Sequence, residues 1–221
     1  MFARTRSVLP IAGGTPAALS TGLPGLDACL PGRGWPPGQL VEILCAGNET
    51  AALDLVTPAL NTLLQRGRRI ALVNPPTDAA LLPLNDCPPR PGSVVRMHPQ
   101  SAPSHWGVEQ CLQAGACDAV LAWLPQADYR QLRSVQEATR GTHALCFAIR
   151  GREARDEPSP AAVRIDIFPF KTGSCVELLK CNLMPGRSRP TCVPPSLARA
   201  TPILGAFAPR GMPAYCEPRL R

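Results

Sequence analysis

No stretch of the chain reaches the roughly eighteen apolar residues that a membrane-crossing helix needs, so no membrane partner is expected. Near the start, Val8-Leu9-Pro10-Ile11-Ala12 follows Arg4 and Arg6. That apolar stretch is too short and too broken by proline for a secretory segment, and the chain is expected to stay in the cytoplasm where it is made. None of the ten cysteines stands two residues from another, which removes the CxxC spacing of zinc and redox sites. Cys117, Cys146, Cys175 and Cys181 lie in apolar runs, where a free thiol acts as a small hydrophobe in a reducing compartment. His98, His105 and His143 are isolated in sequence, without a metal-type partner nearby. The residues thus point to no metal, and they read best as surface or satisfied histidines.

The net charge of +7 invites a nucleic-acid reading, but its distribution weakens it. Residues 20–182 hold 15 basic and 15 acidic side chains, whereas residues 183–221 hold six arginines and one glutamate. All the excess positive charge therefore sits in the termini. Three regions follow: a loose arm over residues 1–19, an α/β domain over 20–182, and a Pro/Arg-rich tail over 183–221. With eight prolines in its 39 residues and no periodicity, the tail is expected to stay disordered. Arg187, Arg189, Leu204, Phe207 and Arg210 are the points at which it would meet a partner, and its arginines could contact DNA phosphates.

The domain is organised around Ser20 to Leu53. Gln39 to Leu44 is an apolar run broken by Glu42, the pattern of a strand covered on both faces. Pro36, Pro37 and Gly38 set the turn before it. Cys45 to Ala51 leads to a helix expected from Ala52 to Arg66, with an apolar stripe at Leu53, Val56, Leu60, Leu63 and Leu64; Pro58 should kink it or delay its start. Further strands are expected at 69–74, 93–97, 118–124 and 144–149, and helices at 105–114 and 128–140, the latter capped by Asp128 and stopped by Gly141. Arg150 to Pro160 reads as a polar link, and 163–168 with 175–181 as a terminal hairpin. The alternation indicates a mainly parallel sheet flanked by helices. Trp35, Trp106 and Trp123 are each expected to be buried in packing.

A strand, a loop and a helix start form the geometry of a phosphate-binding loop. The order Ser20-Thr21-Gly22, Leu26-Asp27, the Gly/Pro turn and Val41-Glu42-Ile43 resembles the start of a RecA-type ATPase core. Such a loop needs a lysine for the phosphates and a Ser/Thr for Mg²⁺. Those positions fall near Ala51 and Ala52, and Cys45, Ala46, Gly47, Asn48, Glu49, Thr50, Ala51 and Ala52 make a degenerate loop with one glycine. On the same resemblance, Pro75-Pro76 stand where a general base is expected. Trp123 stands where a metal-binding acid is expected. No cofactor and no enzymatic activity are expected.

Leu30 to Ile43 with Trp35-Pro36, the strand end Ile70-Ala71-Leu72-Val73-Asn74-Pro75-Pro76, and Gly115-Ala116-Cys117-Asp118-Ala119-Val120-Leu121-Ala122-Trp123-Leu124 together resemble the ImuA family. These are RecA-related, SulA-like accessory proteins of SOS-induced translesion DNA synthesis. The resemblance implies a RecA-like core, a non-catalytic adaptor role, and three partners: an ImuB-type polymerase-like protein, an error-prone DNA polymerase III α-type subunit, and the recombinase filament. A SulA-like inhibitor of cell division and a degenerate nucleotide-binding protein are the alternatives.

Overall fold

A computed structural model describes residues 17–46, 49–76, 94–99, 103–170, 173–183 and 191–193. The elements run α1 (Pro24–Cys29), β1 (Leu40–Cys45), α2 (Glu49–Gln65), β2 (Ile70–Val73), β3 (Val94–Met97), α3 (Ser104–Gln113), β4 (Ala119–Trp123), α4 (Tyr129–Thr139), β5 (Leu145–Gly151), β6 (Val163–Phe170), β7 (Gly173–Cys181) and β8 (Thr191–Val193). Eight strands form one sheet in the order β3-β2-β4-β5-β1-β6-β7-β8. The first six in that order are parallel to their neighbours, and β7 and β8 pair antiparallel. This is a mostly parallel α/β sheet, compatible with a RecA-like core.

Strand alternation divides the core in two. On one face Val41, Ile43, Leu72, Leu121, Phe147, Ile149 and Ile165 pack with Leu26 of α1 and Leu53, Val56 and Leu60 of α2. Trp35 closes this layer, fully buried, with its ring edge-on to Phe147 at 5.2 Å and 87°. That geometry adds about 1 kcal/mol beyond area burial. On the other face Ala71, Val73, Val120, Ala122, Cys146 and Ala148 meet Val108, Cys111 and Leu112 of α3 and Leu132 and Val135 of α4. Two-sided cover explains why β2 and β4 are almost wholly apolar.

Local chemistry fixes the ends. Asp128 caps α4 in a reciprocal box, accepting from the Gln131 N–H at 2.8 Å while Gln131 Oε1 accepts from the Asp128 N–H at 3.0 Å. Ser20 Oγ and the Thr21 N–H donate to the two oxygens of Asp27, at 2.6 and 2.8 Å. Gly22 takes φ +82° there, and a Cβ on it would lie 2.7 Å from Pro58 Cβ. The Ser-Thr-Gly and Leu-Asp pairs therefore serve as a hydrogen-bonded corner ahead of α1.

Five expectations need correction. The helix expected from Ala52 begins at Glu49, and Pro58 lies inside it without delaying its start. Asp54, whose carbonyl loses its usual bond to residue 58, and Pro58 are both exposed, so water can take the place of that bond. Arg150 to Pro160 is no free link: Arg150 and Gly151 end β5, and Arg152–Asp156 form a 3₁₀ turn. The first nineteen residues are not all a loose arm, because Leu19 pairs with Trp35 through two backbone bonds of 3.1 and 2.7 Å. The tail contributes β8, which pairs with β7. Trp106 is 49 % exposed, while Trp35 and Trp123 are buried as expected.

Candidate functional site at the C-terminal edge of the sheet

Parallel strands bring the ends of β1, β2, β4 and β5 to one edge, where open α/β sheets bind ligands. Each strand end can be read for its chemistry. Cys45 closes β1 and is buried, its Sγ 3.6 Å from the Arg150 carbonyl. Only residues 46–48 separate it from α2. Ala51 is half-buried, and Ala52 is fully buried in the same apolar cluster as Leu53 and Val56. The resemblance to a RecA-type loop expects phosphate and Mg²⁺ ligands near these two positions, and their side chains are methyl groups. Gly47 and Asn48, and the side chains of Glu49 and Thr50, lie outside the described residues.

At the end of β2, Asn74 adopts φ +49°, a left-handed conformation that asparagine tolerates. Its N–H donates to the Met97 carbonyl at 2.8 Å and its side-chain amide to Ser104 Oγ. Pro75 beside it is buried and Pro76 half-buried. At the end of β4, Trp123 is 4 % exposed and belongs to the apolar cluster on the α2 face, together with Leu121 and Ala52. An indole offers one N–H donor and no metal ligand. Its Nε1 has no hydrogen-bond partner.

A cleft of about 430 Å³ opens beside these ends, with Asn74, Ser104, His105, Trp123, Gln126 and Gln131 in its wall. It lies against the starts of α3 and α4, and no side chain caps the start of α3. His105 is half-buried here, whereas His98 and His143 are exposed. Among the described residues no group of three or more His, Cys, Asp or Glu is placed to hold a metal ion, and no helix is long and apolar enough to cross a membrane.

A second polar cluster lies on the sheet face opposite α2, over β1, β5, β6 and β7. Glu42 is fully buried, with Arg150 Nη1 at 3.0 Å from its Oε1. Arg164 Nε approaches the other oxygen at 2.8 Å as an ion pair without hydrogen-bond alignment. Arg150 also reaches Glu157 at 2.7 Å. Arg164 donates to the carbonyls of Arg155 at 2.8 Å, Glu157 at 2.9 Å, and Ala154. Buried Asp166 receives Arg152 at 3.0 Å and Arg155, which also pairs with Glu177 at 3.0 Å. Burial pulls the Arg150 guanidinium down, but the Glu157 and Glu42 carboxylates outweigh it and hold it above its ordinary value. Burial, then the charge of Arg164, draws the Lys180 ammonium below its ordinary value, and its Nζ donates to the Ser159 carbonyl at 2.7 Å. The cluster fastens residues 152–160 onto the sheet.

Sequence reasoning did not assign Glu42, Arg150, Arg164 or Asp166 a joint role. A signal was present: charges of both signs within strands buried on both faces must find one another. The expected partner points Arg187, Arg189, Leu204, Phe207 and Arg210 lie outside the described residues. Set against known protein families and against curated proteins, the chain matches none.

Proposed function

We propose that this protein is a non-catalytic accessory component of damage-induced translesion DNA synthesis, a RecA-like core that works through protein contacts. The observation that supports the non-catalytic part is the burial of Ala52 and Trp123; on the RecA-type resemblance these are the positions where a nucleotide-hydrolysing relative needs a hydroxyl and a carboxylate. Apolar side chains there can neither neutralise phosphate nor hold Mg²⁺. The sheet order, compatible with a RecA-like core, supports the scaffold.

The place in translesion synthesis rests on the ImuA-like strings at Leu30–Ile43, Ile70–Pro76 and Gly115–Leu124. With it come the proposed cytoplasmic partners: an ImuB-type polymerase-like protein, a DNA polymerase III α-type subunit and the recombinase filament. The test is co-purification of the tagged full chain with an ImuB-type protein, with a catalytically active Y-family polymerase as control. Stable capture of the first alone is expected. Failure to capture it at micromolar concentrations contradicts the adaptor reading.

A further inference from the structure

The cleft has a feature that the adaptor reading does not use. Among the described residues the exposed large hydrophobic side chains are Val95, Trp106 and Tyr129, at 43, 49 and 41 %. Trp106 sits in the first turn of α3, and Tyr129 opens α4. These helices pack side by side, and both start at the edge where the parallel strands end. Ser104 and His105 lead directly into Trp106, while Gln126 and Gln131 bracket Tyr129, and all four line the cleft. Each exposed ring therefore stands within three positions in sequence of residues that line the same cleft.

The chemistry of that wall is specific. It offers the side-chain amides of Asn74, Gln126 and Gln131, the Ser104 hydroxyl and the His105 imidazole, and among the described residues no carboxylate lines it. Gln131 Oε1 is engaged by the Asp128 N–H, which leaves its NH₂ to donate. Arg130, next to Tyr129, is exposed and forms no ion pair among the described residues, whereas Arg133 is paired with Glu137 at 2.9 Å. Among the described residues the acids on or next to these two helices are Asp128, whose oxygen accepts the Gln131 N–H, Glu109, farther along α3, and Glu137, paired with Arg133.

We propose that this edge binds single-stranded nucleic acid, with bases stacked on Trp106 and Tyr129, a base edge read by the cleft amides, and a phosphate taken by Arg130. Aromatic rings beside donors and a free guanidinium are the elements of single-strand recognition. A protein interface of the hot-spot kind would surround its aromatic anchors with further apolar surface. Here Val95 is the one other exposed large hydrophobic among the described residues, and the cleft presents amide, hydroxyl and imidazole groups beside Pro76, Pro103, Trp123, Leu124 and Pro125. The site stands on this geometry and not on the translesion reading, so either can fail alone.

The test uses the full chain and fluorescently labelled oligo(dT) of about fifteen nucleotides, within the range that single-strand sites cover. Anisotropy is expected to show binding in the range of roughly 1–100 µM at moderate salt. Trp106→Ala and Tyr129→Ala should each weaken it about tenfold, Trp106→Phe should restore most of the affinity, and Arg130→Ala should lower the salt slope by about 0.7. Unchanged thermal melts would establish that the exposed-site variants fold. The proposal is overturned if wild-type protein does not bind in that range. It is equally overturned if both ring variants bind like wild type, which places the contact elsewhere in the chain. Loss of polymerase-like partner capture in Trp106→Ala with DNA binding intact would make the surface a protein interface instead.

Discussion

The two halves of the sheet bury opposite things. Around β2 and β4 both faces are apolar, from Ile70, Leu72, Leu121 and Trp123 on one side to Ala71, Val73, Val120 and Ala122 on the other. Around β1, β5 and β6 the face opposite α2 buries Glu42, Arg150, Arg164 and Asp166. The buried charge lies on one face of β1, β5 and β6 and holds residues 152–160 to the sheet. The desolvation of such ions offsets most of their attraction, so a buried network adds little net stability while intact, yet losing one member is costly. The ionic half therefore tolerates single substitutions poorly, while the apolar half depends on volume and on keeping the buried Cys146 thiol neutral.

The largest expected break in this comparison is Glu42→Ala. It leaves Arg150 and Arg164 buried without their shared carboxylate and should cost about 3–5 kcal/mol in urea unfolding. A loss below about 1 kcal/mol would mean that water already screens the pair.

Alkaline pH should break the apolar half instead. Burial pushes the Cys146 thiol up to about 12 from an unfolded value of 9.0. The folded state thus holds its proton while the unfolded chain releases it, so stability is full below pH 9 and falls between 9 and 12. The slope is about 1.4 kcal/mol per pH unit, and Cys146→Ala should remove that component of the alkaline limb. An unchanged limb in the variant would place the titrating group elsewhere.

The smallest effect concerns α4, which covers the apolar half. Asp128→Ala removes the capping box and should cost about 1 kcal/mol without changing the pH limb.

Much of the fold was legible because the strands are buried on both faces and their runs are bounded by Gly and Pro. Asp128 and Gly141 marked α4 through capping chemistry that acts within four residues. What was not legible depends on distance in space. Arg150 looks like a linker residue until β1 places Glu42 beside it, 108 positions earlier in sequence. Thr191–Val193 carries too short a pattern to announce a strand, and its pairing comes from the edge of β7. The Leu19–Trp35 bridge likewise joins residues sixteen positions apart. At the candidate site, the residues themselves, Ala51, Ala52 and Trp123, could be read directly. The exposure of Trp106 could not, because an aromatic in the first turn of a helix has the same pattern buried or free.

On the proposed reading, apolar side chains fill the strand ends where a nucleotide-hydrolysing protein carries its phosphate and metal ligands. Calorimetric titration of the purified full chain with Mg²⁺ and ATP, at concentrations that reveal a roughly millimolar site, tests it most directly. The account predicts no saturable heat. Saturable, Mg²⁺-dependent binding would contradict it, because a group other than Ala51, Ala52 or Trp123 would then be supplying the charge that phosphate and metal require.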